Sequence, residues 1–310
     1  MIKMMITTNI KKKANNLSTA NAVYTPKIST SKIDQILSFL PFEKFRNPPA
    51  TIAVLRLSGV IGSQPQLRSG LSLDGLNTTI EDTFKLPRLK AVCLSINSPG
   101  GSPVQSELIA SRIRELAEEQ KVPVYSFIED VGASGGYWLA CIGDEIYASK
   151  SSIIGSIGVV SASFGFNEAI KKLGVERRLY TQGKNKSMLD PFTPERKEDV
   201  EIIKKIQRDI HQHFIDFVKD RRKNKITQDD DIIYTGEVWA GEIAQDFGLI
   251  DGLDNMYSFI KKKFGKNVNI KHMNQKQSWL KKRLGIEVKN PINELISYIE
   301  TKIQNGKIGF

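Results

Sequence analysis

"KAVCLSINSPGGSPVQSELIASRIRELAEEQKVPVYSFI", Lys90 to Ile128, carries the pattern that decides the fold. Lys90–Asn97 is an apolar run of strand length, and "VPVYSFI", Val122–Ile128, is another. Pro99-Gly100-Gly101 ends the first run, and a helix-like segment, Val104–Glu119, links the two. Strand, turn, helix and strand in this order make a βα repeat whose strands run parallel. The same alternation extends outward. "TIAVLRLSG" (Thr51–Gly59) precedes it as a strand, followed by a helix over Leu73–Phe84. "DEIYAS" (Asp144–Ser149) and "VERRLYT" (Val175–Thr181) read as later strands, with a helix over Phe166–Leu173 between them. The fold class expected is α/β, a mostly parallel sheet with surrounding helices. One long helix follows, from Thr193 to about Asn224. Thr193 is its expected cap, and Pro194 suits the first helical position. Its apolar positions, Val200, Ile203, Ile206, Ile210, Phe214 and Phe217, recur every three or four residues.

The flanks are different. Residues 1–31 are rich in Lys, Asn, Ser and Thr and read as a poorly ordered arm. "SKIDQILSFLPFEKF", Ser31–Phe45, suits a short amphipathic helix that packs on its own domain, on a neighbouring subunit or on a membrane surface. A last amphipathic helix is expected over Asn293–Ile303. The division is thus an N-terminal arm and amphipathic segment (1–46), a main domain (47–264) and a basic C-terminal extension (265–310).

With 310 residues, the chain can bury a sizeable core. A composition of 40% hydrophobic and 25% charged residues is that of a soluble globular protein. No apolar run approaches the ~18 residues that would span a bilayer, and no secretory leader is evident. The two cysteines, Cys93 and Cys141, lie in apolar runs without metal-ligand spacing and read as reduced core residues. The net charge of +11 is spread thinly, with lysine clusters at 11–13, 261–263 and 281–283 that read as solvated charge. No nucleic-acid-binding motif accompanies them. Contact with an anionic membrane surface stays open.

One stretch carries chemistry. In "DVGASGGYWLAC", Asp130–Cys141, Ser134 is followed by two glycines and then by large apolar residues. Serine becomes a nucleophile only when a base takes its proton. The chain has three histidines. His211 and His213 stand two apart on the long helix and so face differently, and His272 lies in the basic tail. None is placed beside Ser134 by the pattern. Lysine is the other base that serves a serine. Lowering its pKa from about 10.4 to about 7.5 needs roughly 4 kcal/mol of destabilisation of the ammonium. Burial supplies that. "YTQGKNKSMLDPF", Tyr180–Phe192, offers Lys184 and Lys186 beside Met188, Leu189 and Phe192, and spacing alone does not choose between them. Gly101 and Gly135 can present backbone N–H groups to an oxyanion.

"INSPGGS", "GASGGYWLA", "SSIIGSIGVV", "GKNKSMLDPF" and "YTGEVWAGEIAQDFGLIDGL" occur in this order. Over Thr51 to Ile260 the chain closely resembles the signal peptide peptidase A family of Ser/Lys-dyad serine peptidases. The resemblance implies the Clp protease/crotonase-like spiral of ββα units. It implies Ser134 as nucleophile, Lys186 as general base, Ser156 as the residue that orients the lysine, and Gly101 and Gly135 as oxyanion hole. It implies no cofactor and no metal. Expected substrates are extended hydrophobic peptides, such as remnant signal peptides or unfolded membrane-protein segments. Expected partners are further copies of the chain in a homo-oligomer such as an octamer. The family's usual N-terminal membrane anchor is not evident, so a cytoplasmic or peripheral location is expected. A crotonase-type acyl-CoA enzyme and a catalytically silent scaffold are the alternatives on the same fold.

Overall fold

The computed structural model describes residues 49–62 and 70–273. The 1–46 arm with its Ser31–Phe45 helix, and the Asn293–Ile303 helix, lie outside the described residues. Strand β1 (Ala50–Ser58) leads to helix α1 (Leu73–Phe84), β2 (Leu89–Ser98), α2 (Pro103–Gln120), β3 (Val124–Ala133) and the short helix α3 (Gly135–Ala140). Then come β4 (Glu145–Ala148), β5 (Ile153–Gly155), α4 (Asn167–Lys172) and the long α5 (Lys197–Arg222). The last elements are α6 (Asp230–Ile233), β6 (Val238–Ala240), α7 (Gly241–Asp246), β7 (Gly252–Leu253), α8 (Met256–Phe264) and β8 (Val268–Met273).

The strands form one sheet in the order β6-β5-β3-β2-β1-β8, with β4 bridging β3 and β7. Every pairing is parallel except β5 with β6. The expected α/β class with a mostly parallel sheet is therefore present. β8 pairs with β1, so the sheet continues past residue 264.

Alternation along the strands sends side chains to two faces. Ala53, Leu55 and Leu57 of β1 join Leu76, Ile80, Ile109 and Ile113 of α1 and α2 in the larger core. Ile52 and Val54 face the opposite way, onto Tyr125, Phe127, Phe259 and Ile260 under α8. Each such buried side chain stabilises the fold by about 1.5–3 kcal/mol relative to exposure. Helix α2 shows why its segment is helical. Ser102 caps it by accepting from the Gln105 N–H, and Pro103 takes the first turn. Ser106, Ile109, Ala110, Ile113 and Ala117 form its buried stripe. Lys121, in the left-handed region at φ 55°, ends it.

Two expectations are corrected. Val175–Thr181 is not a strand: these residues pair with no edge and lie exposed. The sheet's outer positions on that side are taken by β5 and β6 instead. The long helix begins at Lys197 behind Arg196, and Thr193 does not cap it. The Thr193 hydroxyl donates to the Asp190 carbonyl at 3.2 Å, which commits it to the preceding turn.

Candidate functional site

β3 runs into Ser134 and turns at once into α3. At this corner Ser134 has φ 52° and ψ −125°, a conformation glycine favours. Its side chain caps no helix N–H. Its backbone is nonetheless fixed at both ends. The Ser134 N–H donates to the Gly155 carbonyl at 2.8 Å, and its carbonyl accepts from Tyr137 and Trp138 at 2.9 and 3.0 Å. A half-buried serine on a strained strand-to-helix corner has its hydroxyl pushed clear of the backbone.

The glycines around it are there for contact. A Cβ at Gly100, whose φ is +101°, would lie 2.8 Å from both the Gly135 nitrogen and the Ser134 Cβ. A Cβ at Gly101 would lie 2.0 Å from the Ile61 carbonyl oxygen. The 99–101 turn is thus pressed against the serine corner. Gly101, Ser134 and Gly135 together line one cavity. Among the described residues the N–H groups of Gly101 and Gly135 have no acceptor.

Ser156 follows the strand next to β3 in the sheet. β3 and β5 pair up to Ala133 and Gly155, the residues just before Ser134 and Ser156. Ser156 also has a positive φ, 51°, and its N–H donates to the Glu237 carbonyl at 2.6 Å. Next to it, the Ile157 carbonyl lies 3.0 Å from His211 Nε2. A carbonyl only accepts, so Nε2 carries the hydrogen and α5 is tied to the 156–159 loop. His211 is therefore a structural brace near the site. His213 is exposed, and His272 sits on β8 opposite Val54, away from Ser134.

The lysine is not in the cavity. Lys186 lies in the turns between Gly183 and Leu189, with its N–H donating to the Gly183 carbonyl at 3.1 Å, and it is exposed, as is Lys184. The cavity around Ser134 is lined by no lysine. What the single chain does fix is the base of the lysine loop. Asp199, buried at the start of α5, accepts from the Leu189 N–H at 3.3 Å and from the Arg196 guanidinium at 2.6 and 3.0 Å. The Arg196 hydrogen bonds hold the Asp199 carboxyl below its ordinary pKa. Ahead of it the chain from Val160 to Tyr180 is open to solvent, with Val160, Phe164, Leu173, Val175 and Tyr180 all more than half exposed.

Tyr137 is a core residue: it is fully buried and donates to the Leu249 carbonyl at 2.8 Å. Trp138 is buried too, yet it reaches the Ser134 cavity together with Ile210 and Phe214 of α5 and Val159. In the sequence, Ile210 and Phe214 stand only as the apolar stripe of a helix. A helix that packs on a sheet and a helix that walls a cavity share that stripe, so no signal separated them. The cysteines are as expected: both are free and buried, and burial raises the Cys93 thiol pKa to about 12 and that of Cys141 to about 11. Among the described residues no cluster of His, Cys, Asp and Glu could hold a metal, and no helix is long and apolar enough to cross a membrane.

The chain is 50% identical over 242 residues to a Brucella melitensis protein named Na(+)/H(+) antiporter NhaA, covering 78% of this chain and 33% of that one. It is 34% identical to a putative protease of Methanocaldococcus jannaschii over 59% of this chain and 58% of the other. It is 31% identical to the chloroplastic serine protease SPPA of Arabidopsis thaliana, over 68% of this chain and 32% of the other. The chain thus spans between a third and somewhat over half of these relatives. A solved membrane-bound stomatin-specific protease, 1510-N, in complex with a substrate peptide, superposes with a TM-score of 0.47 at 16% identity, over 77% of this chain and 97% of that one. The model of "Peptidase family S49" matches residues 116–270, from the C-terminal end of α2 through α3 and α5 into β8. With the serine corner and the long α5 inside that span, the chain belongs to peptidase family S49, with the signal peptide peptidase A-like peptidases.

Proposed function

We propose that the chain is a serine endopeptidase in which Ser134 is the nucleophile and Lys186 the general base. The observation that carries this reading is the Ser134 corner: a strained serine whose cavity is shared with the Gly101 and Gly135 N–H groups. Neutral Lys186 takes the proton from Ser134 Oγ as the oxygen attacks the scissile carbonyl. The carbonyl oxygen, now charged, is held by the two glycine N–H groups. The lysine ammonium gives its proton to the leaving amine, and water then cleaves the acyl-serine by the same route. Ser156, one residue past the Ala133–Gly155 pair, orients the lysine amine.

Lys186 meets Ser134 on assembly. The lysine is exposed in the single chain, and the segment before it carries exposed Phe164, Leu173, Val175 and Tyr180. A second copy packed on this arm would bury the apolar groups and the ammonium together. That supplies the desolvation a neutral lysine requires. The substrates we assign are extended hydrophobic peptides, including remnant signal peptides.

Fluorophosphonate labelling read by mass spectrometry, with peptide hydrolysis, tests this. Labelling is expected on Ser134 and is lost in Ser134→Ala. Lys186→Ala lowers kcat by at least about a hundredfold, while Lys184→Ala stays near wild type. Mixing the Ser134→Ala and Lys186→Ala chains restores activity if the base crosses between copies. Wild-type turnover in folded Lys186→Ala refutes the dyad, and a thermal shift with acyl-CoA in a chain that no phosphonate labels would favour the crotonase-type reading.

A further inference from the structure

Lys186 stands on a stretch that no apolar core holds in place. No residue between Val160 and Glu198 is buried as a whole, and helix α4 has no buried side chain. Few buried contacts ordinarily mean a backbone that opens easily. Yet two carboxylates just beyond the lysine are sealed from water. The Asp190 side chain is 7% exposed and that of Asp199 3%. A carboxylate gives up its hydration only where hydrogen bonds and a paired charge replace it.

Those hydrogen bonds show what the carboxylates close. Asp190 Oδ1 accepts from the Phe192 N–H at 3.0 Å, and Oδ2 accepts from Arg177 Nε and Nη2 at 3.3 and 3.1 Å. The Arg177 guanidinium also lies 5.7 Å over the Phe192 ring, which stacks on Phe166 at 5.7 Å. On the other side the Leu189 N–H donates to Asp199, which Arg196 grips with two hydrogen bonds. Leu189 holds a left-handed φ of 54°, a backbone that leucine rarely adopts. Between Lys186 and these anchors the chain makes consecutive turns. The Met188 N–H donates to the Asn185 carbonyl and the Asp190 N–H to the Ser187 carbonyl, both at 3.3 Å. The lysine thus stands three residues ahead of backbone that is tied at Leu189 and again at Asp190.

We infer that Asp190 and Asp199 are positioning residues for Lys186, tying its loop to Arg177 and to α5 so that the amine is delivered in one place. Charge-assisted hydrogen bonds are the stronger kind, and here they stiffen an arm that lacks apolar packing. The inference rests on the reading of Lys186 as general base and adds to it the groups that aim that base. A displacement of about 1 Å in such a group costs up to about a hundredfold in rate.

The test measures kcat and KM of the assembled full chain on one apolar peptide. Asp190→Ala and Arg177→Ala are each expected to lower kcat at least about tenfold, with KM held within about twofold. Asp190→Asn keeps an acceptor for the Phe192 N–H and recovers most of that loss. Glu176→Ala removes an ion pair to Arg178 that is exposed on both sides, and stays at the wild-type rate. The chain that carries the substitution is then decisive. In mixtures of Ser134→Ala and Lys186→Ala chains, Asp190→Ala lowers turnover when it is placed on the Ser134→Ala chain, which supplies the lysine. A merely structural role lowers turnover equally from either chain. Should Asp190→Ala not fold, Arg177→Ala, at a 43% exposed position, breaks the same pair from its outer side. If the mixtures are inactive because each lysine serves its own chain, the kcat-against-KM split and the Asp190→Asn rescue decide. Wild-type kcat in Asp190→Ala and Arg177→Ala, or equal loss from either chain of the mixture, overturns this inference alone while Lys186→Ala stays inactive. Wild-type turnover in Lys186→Ala removes the dyad, and this inference with it.

Discussion

Replacing Ser134 by glycine should make the protein more stable while removing its nucleophile. Ser134 holds φ 52° and ψ −125°. A non-glycine residue in so sparsely populated a region costs of order 1–3 kcal/mol. Glycine adopts the same angles without that strain, but loses about 0.5–1 kcal/mol more backbone entropy on folding. The net gain is about 1 kcal/mol, near 2–4 °C in Tm for a folded unit of this size. Ser134→Ala keeps a Cβ and so keeps the strain, which makes it the right reference. Thermal melts of Ser134→Gly and Ser134→Ala, compared at one chain concentration so that assembly is equal, read the difference. The hydroxyl contributes to neither variant, so any difference belongs to the backbone. A Ser134→Gly protein no more stable than Ser134→Ala would show that the corner is not strained, and the account of how the hydroxyl is presented would fall.

Two further outcomes follow from groups around the site. His211→Ala removes the donor to the Ile157 carbonyl and loosens the 156–159 loop; kcat/KM should fall about tenfold, a positioning effect of the usual size, while His213→Ala leaves it unchanged. Asp251 tests the pH dependence. Its burial pushes the carboxyl pKa up, but hydrogen bonds from Arg222 and Lys225 outweigh this and hold it below the ordinary value. A lowered carboxylate adds stability that is full above the unfolded pKa of about 3.9 and is lost as pH falls through the folded value. Tm should therefore decline below about pH 4, and that decline should be shallower in Asp251→Asn. The same variant leaves Arg222, 2% exposed, without its counter-charge and should lose about 3–5 kcal/mol at neutral pH. Equal acid limbs in the two proteins would exclude Asp251 as the titrating group.

Much of the framework was legible because local pattern and tertiary role agree there. β1, β2 and α2 appear within a residue or two of where periodicity puts them, since each buries a continuous apolar stripe and α2 carries its own cap. The serine corner was visible because two glycines after a serine have no local use in a helix. Val175–Thr181 misled because its β-forming composition is met by no strand among the described residues. Very short strands such as β5 and β7 have too few residues for a period. The long helix was found but not its start: Thr193-Pro194 has the chemistry of a cap, and a hydrogen bond to Asp190 takes the hydroxyl elsewhere. Where Lys184 and Lys186 lie relative to Ser134 was not legible, because spacing along a chain does not place an exposed loop.

Cys93 and Cys141 are the only two cysteines in the sequence, and both thiols are sealed in the interior with their pKa values far above neutrality. Sulfur-seeking reagents such as iodoacetamide or an epoxide warhead have nothing to alkylate while the chain stays folded. Mass added by an acylating or phosphonylating probe is then free of thiol background. Inhibitor profiling can thus assign the mechanistic class without mutagenesis, and delayed alkylation of either sulfur becomes a clock for unfolding.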